Sequence, residues 1–213
     1  MDLFSHQTTD SSVLDLFNSS SDSQDCTAQL HPCVWTPAEA DDLFRTLKES
    51  VPWQQRDVIV FGKRYQQPRL VAWYGDPGAT YTYSRLTLEP IPWIAPLLAI
   101  KTQVEALAGT TFNSVLANLY RDGQDTNGWH SDDEPELGVN PIIASVSLGT
   151  ERRFDLRHKR TKETIRTHLP AGSVLIMAGR TQAEWQHQLP RTKKISSPRI
   201  NLTFRRVELQ APQ

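Results

Sequence analysis

The run Arg199-Ile200-Asn201-Leu202-Thr203-Phe204-Arg205 constrains the fold of this chain more than any other stretch, because polar and apolar residues alternate in it without a break. Alternation with a period of two marks an extended strand whose successive side chains point to opposite faces. Arg199, Asn201, Thr203 and Arg205 therefore share one face, and Ile200, Leu202 and Phe204 share the other. If the apolar face meets packing helices, the polar face lines the interior of a barrel. Two inward arginines then require anions, since an uncompensated buried charge costs several kcal/mol. A strand with one solvated face is the competing reading.

The rest of the chain agrees with a β-rich interior. From Thr111 onward, short β-type runs follow one another with turn residues between them: Phe112 to Tyr120, Ile142 to Leu148, Phe154 to His158, Thr164 to Leu169, Ser173 to Met177 and Ile200 to Val207. Upstream, Val58 to Phe61 and Leu70 to Trp73 are further β runs. Two helices stand apart from these. Thr36, Pro37 and Glu39 form a capping box, after which Ala40, Leu43, Phe44 and Leu47 fall on one face. A second helix runs from about Ile94 to Ala108, with Leu97, Ile100, Val104 and Leu107 in helical phase and Gly109 to close it. Helices first and strands later predict an antiparallel sandwich or barrel buttressed by helices.

Charge is distributed unevenly. The 213 residues sum to a net charge of -1, yet residues 1 to 30 hold five aspartates and no Lys or Arg. All 23 basic residues therefore share the remaining 183 positions with 19 acidic ones, a balance of +4. A surplus concentrated between Arg152 and Arg206 points to a polyanionic partner. Residues 1 to 28, rich in Ser and Asp, read as a disordered acidic tail ahead of one domain at 29 to 209. Cys26 and Cys33 have neither disulfide-framework nor zinc spacing. The most apolar window, Ile91 to Ile100, is short and broken by two prolines, so no segment is expected to span a membrane. An intracellular protein follows, cytoplasmic if bacterial and nuclear if eukaryotic, acting as a monomer.

Three further groups of polar residues could carry chemistry. Asn118 and Tyr120 share a strand face. His130 and Asp132, two apart in extended backbone, point the same way, as two ligands of one metal must. His187 falls between the Ser173 to Met177 strand and the final strand. Two imidazoles and one carboxylate, leaving open coordination positions, form the donor set suited to non-haem Fe(II).

Taken together, Asn118-Leu119-Tyr120, His130-Ser131-Asp132, His187 and Pro198-Arg199-Ile200-Asn201-Leu202-Thr203-Phe204-Arg205 resemble the AlkB family of Fe(II)/2-oxoglutarate dioxygenases, which reverse alkylation damage in nucleic acids. Tyr74-Gly75-Asp76-Pro77-Gly78 and Tyr81-Thr82-Tyr83-Ser84 resemble that family's substrate lid. The resemblance implies a mainly β protein with flanking helices: a double-stranded β-helix, or jelly roll, over about 110 to 207, behind an N-terminal nucleotide-recognition lid over about 52 to 90. It implies Fe(II) on His130, Asp132 and His187, with O2 and 2-oxoglutarate as co-reactants. Arg199 would take the far carboxylate of 2-oxoglutarate with its guanidinium fork. Asn118, Tyr120, Asn201 and Thr203 would complete that pocket, and Arg205 would neutralise charge beside the metal. The implied reaction oxidises an N-methyl carbon and releases it as formaldehyde.

The family's substrates, 1-methyladenine and 3-methylcytosine, are cationic bases that stack favourably between aromatic rings. This assigns Tyr81 and Tyr83 to the base pocket, with Asp133 and Glu134 near the exocyclic amine. Val58-Ile59-Val60-Phe61-Gly62-Lys63 resembles the hairpin that wedges an aromatic side chain into duplex DNA. Phe61, Lys63, Arg69, Lys193 and Lys194 are accordingly expected to contact DNA, and Arg152, Arg153, Arg157, Lys159 and Arg160 to meet phosphates. Alkylated duplex DNA is the expected partner. The alternatives are the same chemistry on RNA or single strands, and a cupin-like binding module without catalysis.

Overall fold

The structure, a computed structural model, describes residues 12–17, 25–60, 63–83 and 86–208. The chain begins with two strands, β1 (Leu14–Asp15) and β2 (Cys26–His31), followed by helix α1 (Pro37–Ser50). A long hairpin, β3 (Gln54–Val60) and β4 (Lys63–Gly75), and a short one, β5 (Tyr81–Tyr83) and β6 (Leu86–Leu88), lead into α2 (Ala95–Ala108). Then come β7 (Ser114–Tyr120), β8 (Asn127–His130), β9 (Ile143–Gly149), β10 (Arg152–His158), β11 (Thr164–Leu169) and β12 (Ser173–Gly179). A single helical turn α3 (Thr181–Glu184) precedes β13 (Trp185–Leu189) and β14 (Arg199–Arg205).

Two antiparallel sheets form the body. One runs β1-β2-β12-β9-β14-β7-β4-β3 and the other β11-β10-β13-β8. Apart from the β10–β11 hairpin, consecutive strands from β7 to β14 cross from one sheet to the other, which is the winding of a jelly roll. The central strands of the large sheet, β12, β9, β14 and β7, are buried on both faces. The sheet's outer face packs Ile200, Leu202 and Phe204 against Leu47 of α1 and Leu97, Ile100 and Val104 of α2. A second core lies between the sheets, where Leu175 and Met177 meet Phe154, Leu156 and Trp185.

Local sequence explains the helices. The Thr36–Glu39 capping box forms as expected, and Gly109, at φ +64°, takes the left-handed conformation that terminates α2 at no steric cost. Leu107 departs from its expected place: it is 38% exposed, and Ala108 packs in the final turn instead. Among the described residues no helix is long and apolar enough to cross a membrane.

The expected tail boundary at residue 28 is corrected. Cys26–His31 is a strand paired along its length with β12, and it buries Ala28 and Leu30. Phe17 is also buried, its ring 4.7 Å from that of Trp185. Apolar side chains at alternate positions outweigh the Ser/Asp-rich composition around them once a sheet edge is available.

Candidate active site

Strand β14 carries the site on its inward face. All seven of its residues are buried, and Asn201, Thr203 and both arginines line a cavity between the two sheets. The opposite wall belongs to the smaller sheet, where His187 of β13 pairs in register with His130 of β8. Asp132 follows β8 after Ser131. The ligand atoms of His130, Asp132 and His187 all lie within 4.8 Å of one another, and His187 Nε2 is 3.9 Å from an Asp132 carboxylate oxygen.

Electrostatics place these groups in their ligating forms. Burial pushes both imidazoles down, His187 to about 3, so both are neutral. Burial alone would raise the Asp132 carboxyl, but the Arg205 charge and the two histidines outweigh it and hold the group at about 2. Arg205 donates to Asp132 Oδ1 at 2.6 Å, and the Asp132 backbone N–H donates to Gln182 Oε1 at 3.0 Å. Arg205 thereby fixes the carboxylate, and Gln182 fixes the backbone that carries it.

At the other end of the cavity sits Arg199. It is 2% exposed, donates to Ser147 Oγ at 2.8 Å and stacks 5.5 Å from the Tyr120 ring centroid. Its buried Nε has no partner among the described residues, and burial lowers the guanidinium to about 10. A guanidinium held among hydroxyl and aromatic groups, with Arg152 nearby as a second cation, is built for an anionic guest. These residues fit the expected groups: a divalent metal on the two imidazoles and the carboxylate, and a dicarboxylate reaching Arg199.

Asn118 and Tyr120 line the same cavity, as the shared strand face of β7 predicts. Asn201 donates to Ser145 Oγ at 2.8 Å, and Thr203 donates to Asn201 Oδ1 at 3.1 Å. Sequence reading missed Ser145, Ser147, Gln182 and Asn127. The two serines were legible, since Ala144-Ser145-Val146-Ser147-Leu148 alternates as β14 does. Gln182 carries no local signal, because its partner is fifty residues away.

Expected nucleic-acid residues divide. Arg69 is corrected: it is buried, with Nε donating to Asn118 Oδ1 at 2.8 Å and NH1 to the Thr126 carbonyl. It holds a cavity residue and does not face outward. Arg152 is likewise internal, donating to the carbonyls of Asp122, Asp125 and Pro190. Arg153 pairs with Asp155, and Arg157 lies 4.0 Å over Trp129. Asp133 is exposed and paired with Lys159 at 3.1 Å, while Glu134 is half-buried; neither lines the cavity with the metal set. Lys193 and Lys194 are exposed. Tyr81 and Tyr83 lie on β5, and Lys63 opens β4; Phe61 lies outside the described residues, between the paired Val60 and Lys63.

A jelly roll that encloses two imidazoles, one carboxylate and a buried anion-seeking guanidinium defines the class of Fe(II)- and 2-oxoglutarate-dependent oxygenases. The model of the 2OG-Fe(II) oxygenase superfamily matches residues 27–205, and the chain belongs to the AlkB family within that superfamily. With that membership come Fe(II), 2-oxoglutarate and O2 as cofactors. The chain is 50% identical over 179 residues to the alpha-ketoglutarate-dependent dioxygenase alkB homolog 3 of Bos taurus, covering 79% of this chain and 62% of that protein. It is 46% identical over 183 residues to the DNA oxidative demethylase ALKBH2 of Homo sapiens, covering 81% of this chain and 70% of that protein. The chain thus spans less than two thirds of the alkB homolog 3 relative. A solved structure described as OsALKBH1 superposes with a TM-score of 0.60 at 17% identity, over 85% of this chain and 96% of that one, which reports the fold.

Proposed function

We propose that this protein oxidatively demethylates N-alkylated bases in DNA, 1-methyladenine and 3-methylcytosine among them. The observation that carries the reading is the joining, in one cavity, of the His130–Asp132–His187 set with the buried Arg199. A binding module has no use for three metal ligands facing an anion clamp. The DNA substrate is supported by similarity to relatives that are named as DNA oxidative demethylases.

His130, Asp132 and His187 would hold Fe(II). Bound together, Fe(II), 2-oxoglutarate and O2 supply an oxidation in which 2-oxoglutarate becomes succinate and CO2 while an N-methyl carbon is hydroxylated and leaves as formaldehyde. The chain's own residues set the geometry. Arg205 fixes the Asp132 carboxylate and Gln182 its backbone N–H, Arg199 anchors a carboxylate at the far end, and Arg69 orients the Asn118 amide between them. Tyr81, Tyr83, Asp133 and Glu134 are proposed to receive the flipped base, with residues 52 to 90 as the recognition lid.

Duplex DNA is the proposed form of the substrate, bound by a monomer inside the cell. Support comes from the β3–β4 hairpin. β4 pairs with β7 only from Leu70 to Gly75, whereas Lys63 to Gln66 pair with β3 alone. The paired ends of the hairpin, Val60 and Lys63, therefore extend past the part of β4 that β7 covers, which is where a wedge would be presented. The test is incubation with Fe(II), 2-oxoglutarate, ascorbate and oligonucleotides carrying either lesion, with base mass and formaldehyde as readouts. Demethylation with duplex faster than single strand is expected; no demethylation of any strand form rejects the function, and a single-strand preference rejects the duplex assignment alone.

A further inference from the structure

The register of β8 brings a second polar side chain onto a ligand histidine. His187 and Leu189, two apart on β13, pair with His130 and Asn127, three apart on β8. The extra residue on β8 is a β-bulge. On a regular strand, side chains three apart point to opposite faces, but across this bulge Asn127 and His130 both line the cavity. Trp129, between them, lies beneath the Arg157 guanidinium instead.

The Asn127 Nδ2 amide is 3.1 Å from His130 Nε2. A backbone carbonyl can only accept, so His130 Nδ1, 2.7 Å from the Gly128 oxygen, carries the ring proton. Nε2 is then the bare nitrogen, and Asn127 donates to it. The lone pair covered by this amide is the one that a metal shared with Asp132 and His187 would take, and a single lone pair serves one partner at a time.

We propose that Asn127 is a positioning residue that competes with the metal. In the metal-free site its carboxamide holds His130 as the Nδ1–H tautomer with Nε2 covered, and it releases Nε2 when a divalent cation loads. The inference rests on the assignment of His130, Asp132 and His187 as ligands. An acceptor left bare in a buried site is costly, so the amide stabilises the metal-free state relative to the loaded one. Asn127 is only half-buried, and the released amide can be hydrated. The device weakens metal affinity while keeping the ligand nitrogen unprotonated.

Co(II) binding to the full metal-free chain, followed by visible absorption and calorimetry without 2-oxoglutarate, tests the proposal. Asn127→Leu, similar in size and without a donor, should bind Co(II) about fivefold more tightly, the worth of one ordinary hydrogen bond. Imidazole 15N spectra supply a readout that a packing change would not move. The His130 Nε2 resonance should shift toward that of an uncovered nitrogen in metal-free Asn127→Leu, while the Zn(II)-loaded wild type and variant coincide. Asn127→Ala must reproduce both effects if Asn127→Leu fails to fold. Equal or weaker Co(II) affinity, or an unmoved His130 resonance, overturns the role of Asn127. Co(II) binding that survives both His130→Ala and His187→Ala, or no Co(II) binding by the wild type, overturns the ligand assignment and the inference with it.

Discussion

At the scale of single residues, Arg199 separates binding from folding. Its guanidinium is buried without an acidic partner among the described residues, so the fold bears its desolvation and a guest supplies the return charge. Arg199→Met is expected to leave the melting temperature of the metal-free protein unchanged or higher. The same change should raise the KM for 2-oxoglutarate about 100-fold, since two charge-assisted hydrogen bonds together contribute about 3 kcal/mol. Thermal melts with and without 2-oxoglutarate, alongside kinetics, check both halves. The metal ligands carry a second prediction. His187 is depressed to about 3 and His130 is also lowered by burial, so the unfolded chain binds protons that the folded one refuses. Stability is then full above the ordinary histidine value near 6.5 and falls as the pH drops from there toward 3. Asp132, held at about 2, adds a loss in the same direction from the ordinary carboxylate range downward. Melting curves of metal-free protein should shift down steadily below about pH 6.5. A Co(II)-loaded sample, whose imidazoles are held deprotonated, should resist that shift over the upper part of the range. Identical pH profiles for the two samples would contradict the ligand assignment. The ligands and Arg199 were legible because spacing and alternation are local signals. Arg69 was not, since which way an arginine turns beside an apolar strand is decided by Asn118, 49 residues further on.

Elements were legible to the degree that their own sequence paid for them. The capping box of α1, the αL glycine after α2 and the alternation of β14 each specify an element from within, and all three form where expected. Strand β2 does not specify itself. Thr27, Ala28, Gln29 and Leu30 become a strand because β12 offers them a free edge, and their surroundings read as tail. Strands β8 and β13 are likewise too short to announce themselves, at four and five residues. Yet their pairing sets the two histidine rings 4.2 Å apart. The β3–β4 hairpin carries the prediction at this scale. If its end beyond β7 works as a wedge, Phe61→Ala should slow repair of methylated duplex roughly tenfold more than repair of the same lesion in a single strand, because opening a base step costs a few kcal/mol only in the duplex. Parallel single-turnover assays on the two substrates decide it. An equal loss on both would make Phe61 a packing residue.

For the molecule as a whole, the question is how much of the basic surplus reaches a polyanion. The +4 of residues 31 to 213 could have been spent inside, because Arg69, Arg152, Arg199 and Arg205 are buried. Among the described residues three carboxylates, Asp125, Asp132 and Asp155, are buried with them. The interior therefore retains only one net positive charge, and most of the surplus remains at the surface. Two cations outside the core are individually matched, Arg153 by Asp155 and Lys159 by Asp133, and are less available to a phosphate. Lys193 and Lys194 are exposed on the segment between β13 and β14, the two strands that carry His187 and Arg199. Phosphate contacts made there should appear as counterion release. The logarithm of the DNA association constant should fall linearly with the logarithm of salt concentration, and Lys193→Gln with Lys194→Gln should flatten that slope by about 1 to 2 units, close to one unit per lost contact. Binding should weaken to a similar degree on methylated and unmethylated DNA, since phosphate contacts position without reading bases. The kcat at saturating DNA should stay within about twofold, because neither lysine lines the cavity. Fluorescence anisotropy between 50 and 200 mM salt, roughly the range over which such slopes are resolved, measures the slope. An unchanged slope would move the DNA track away from this segment and onto the β3–β4 hairpin side of the molecule.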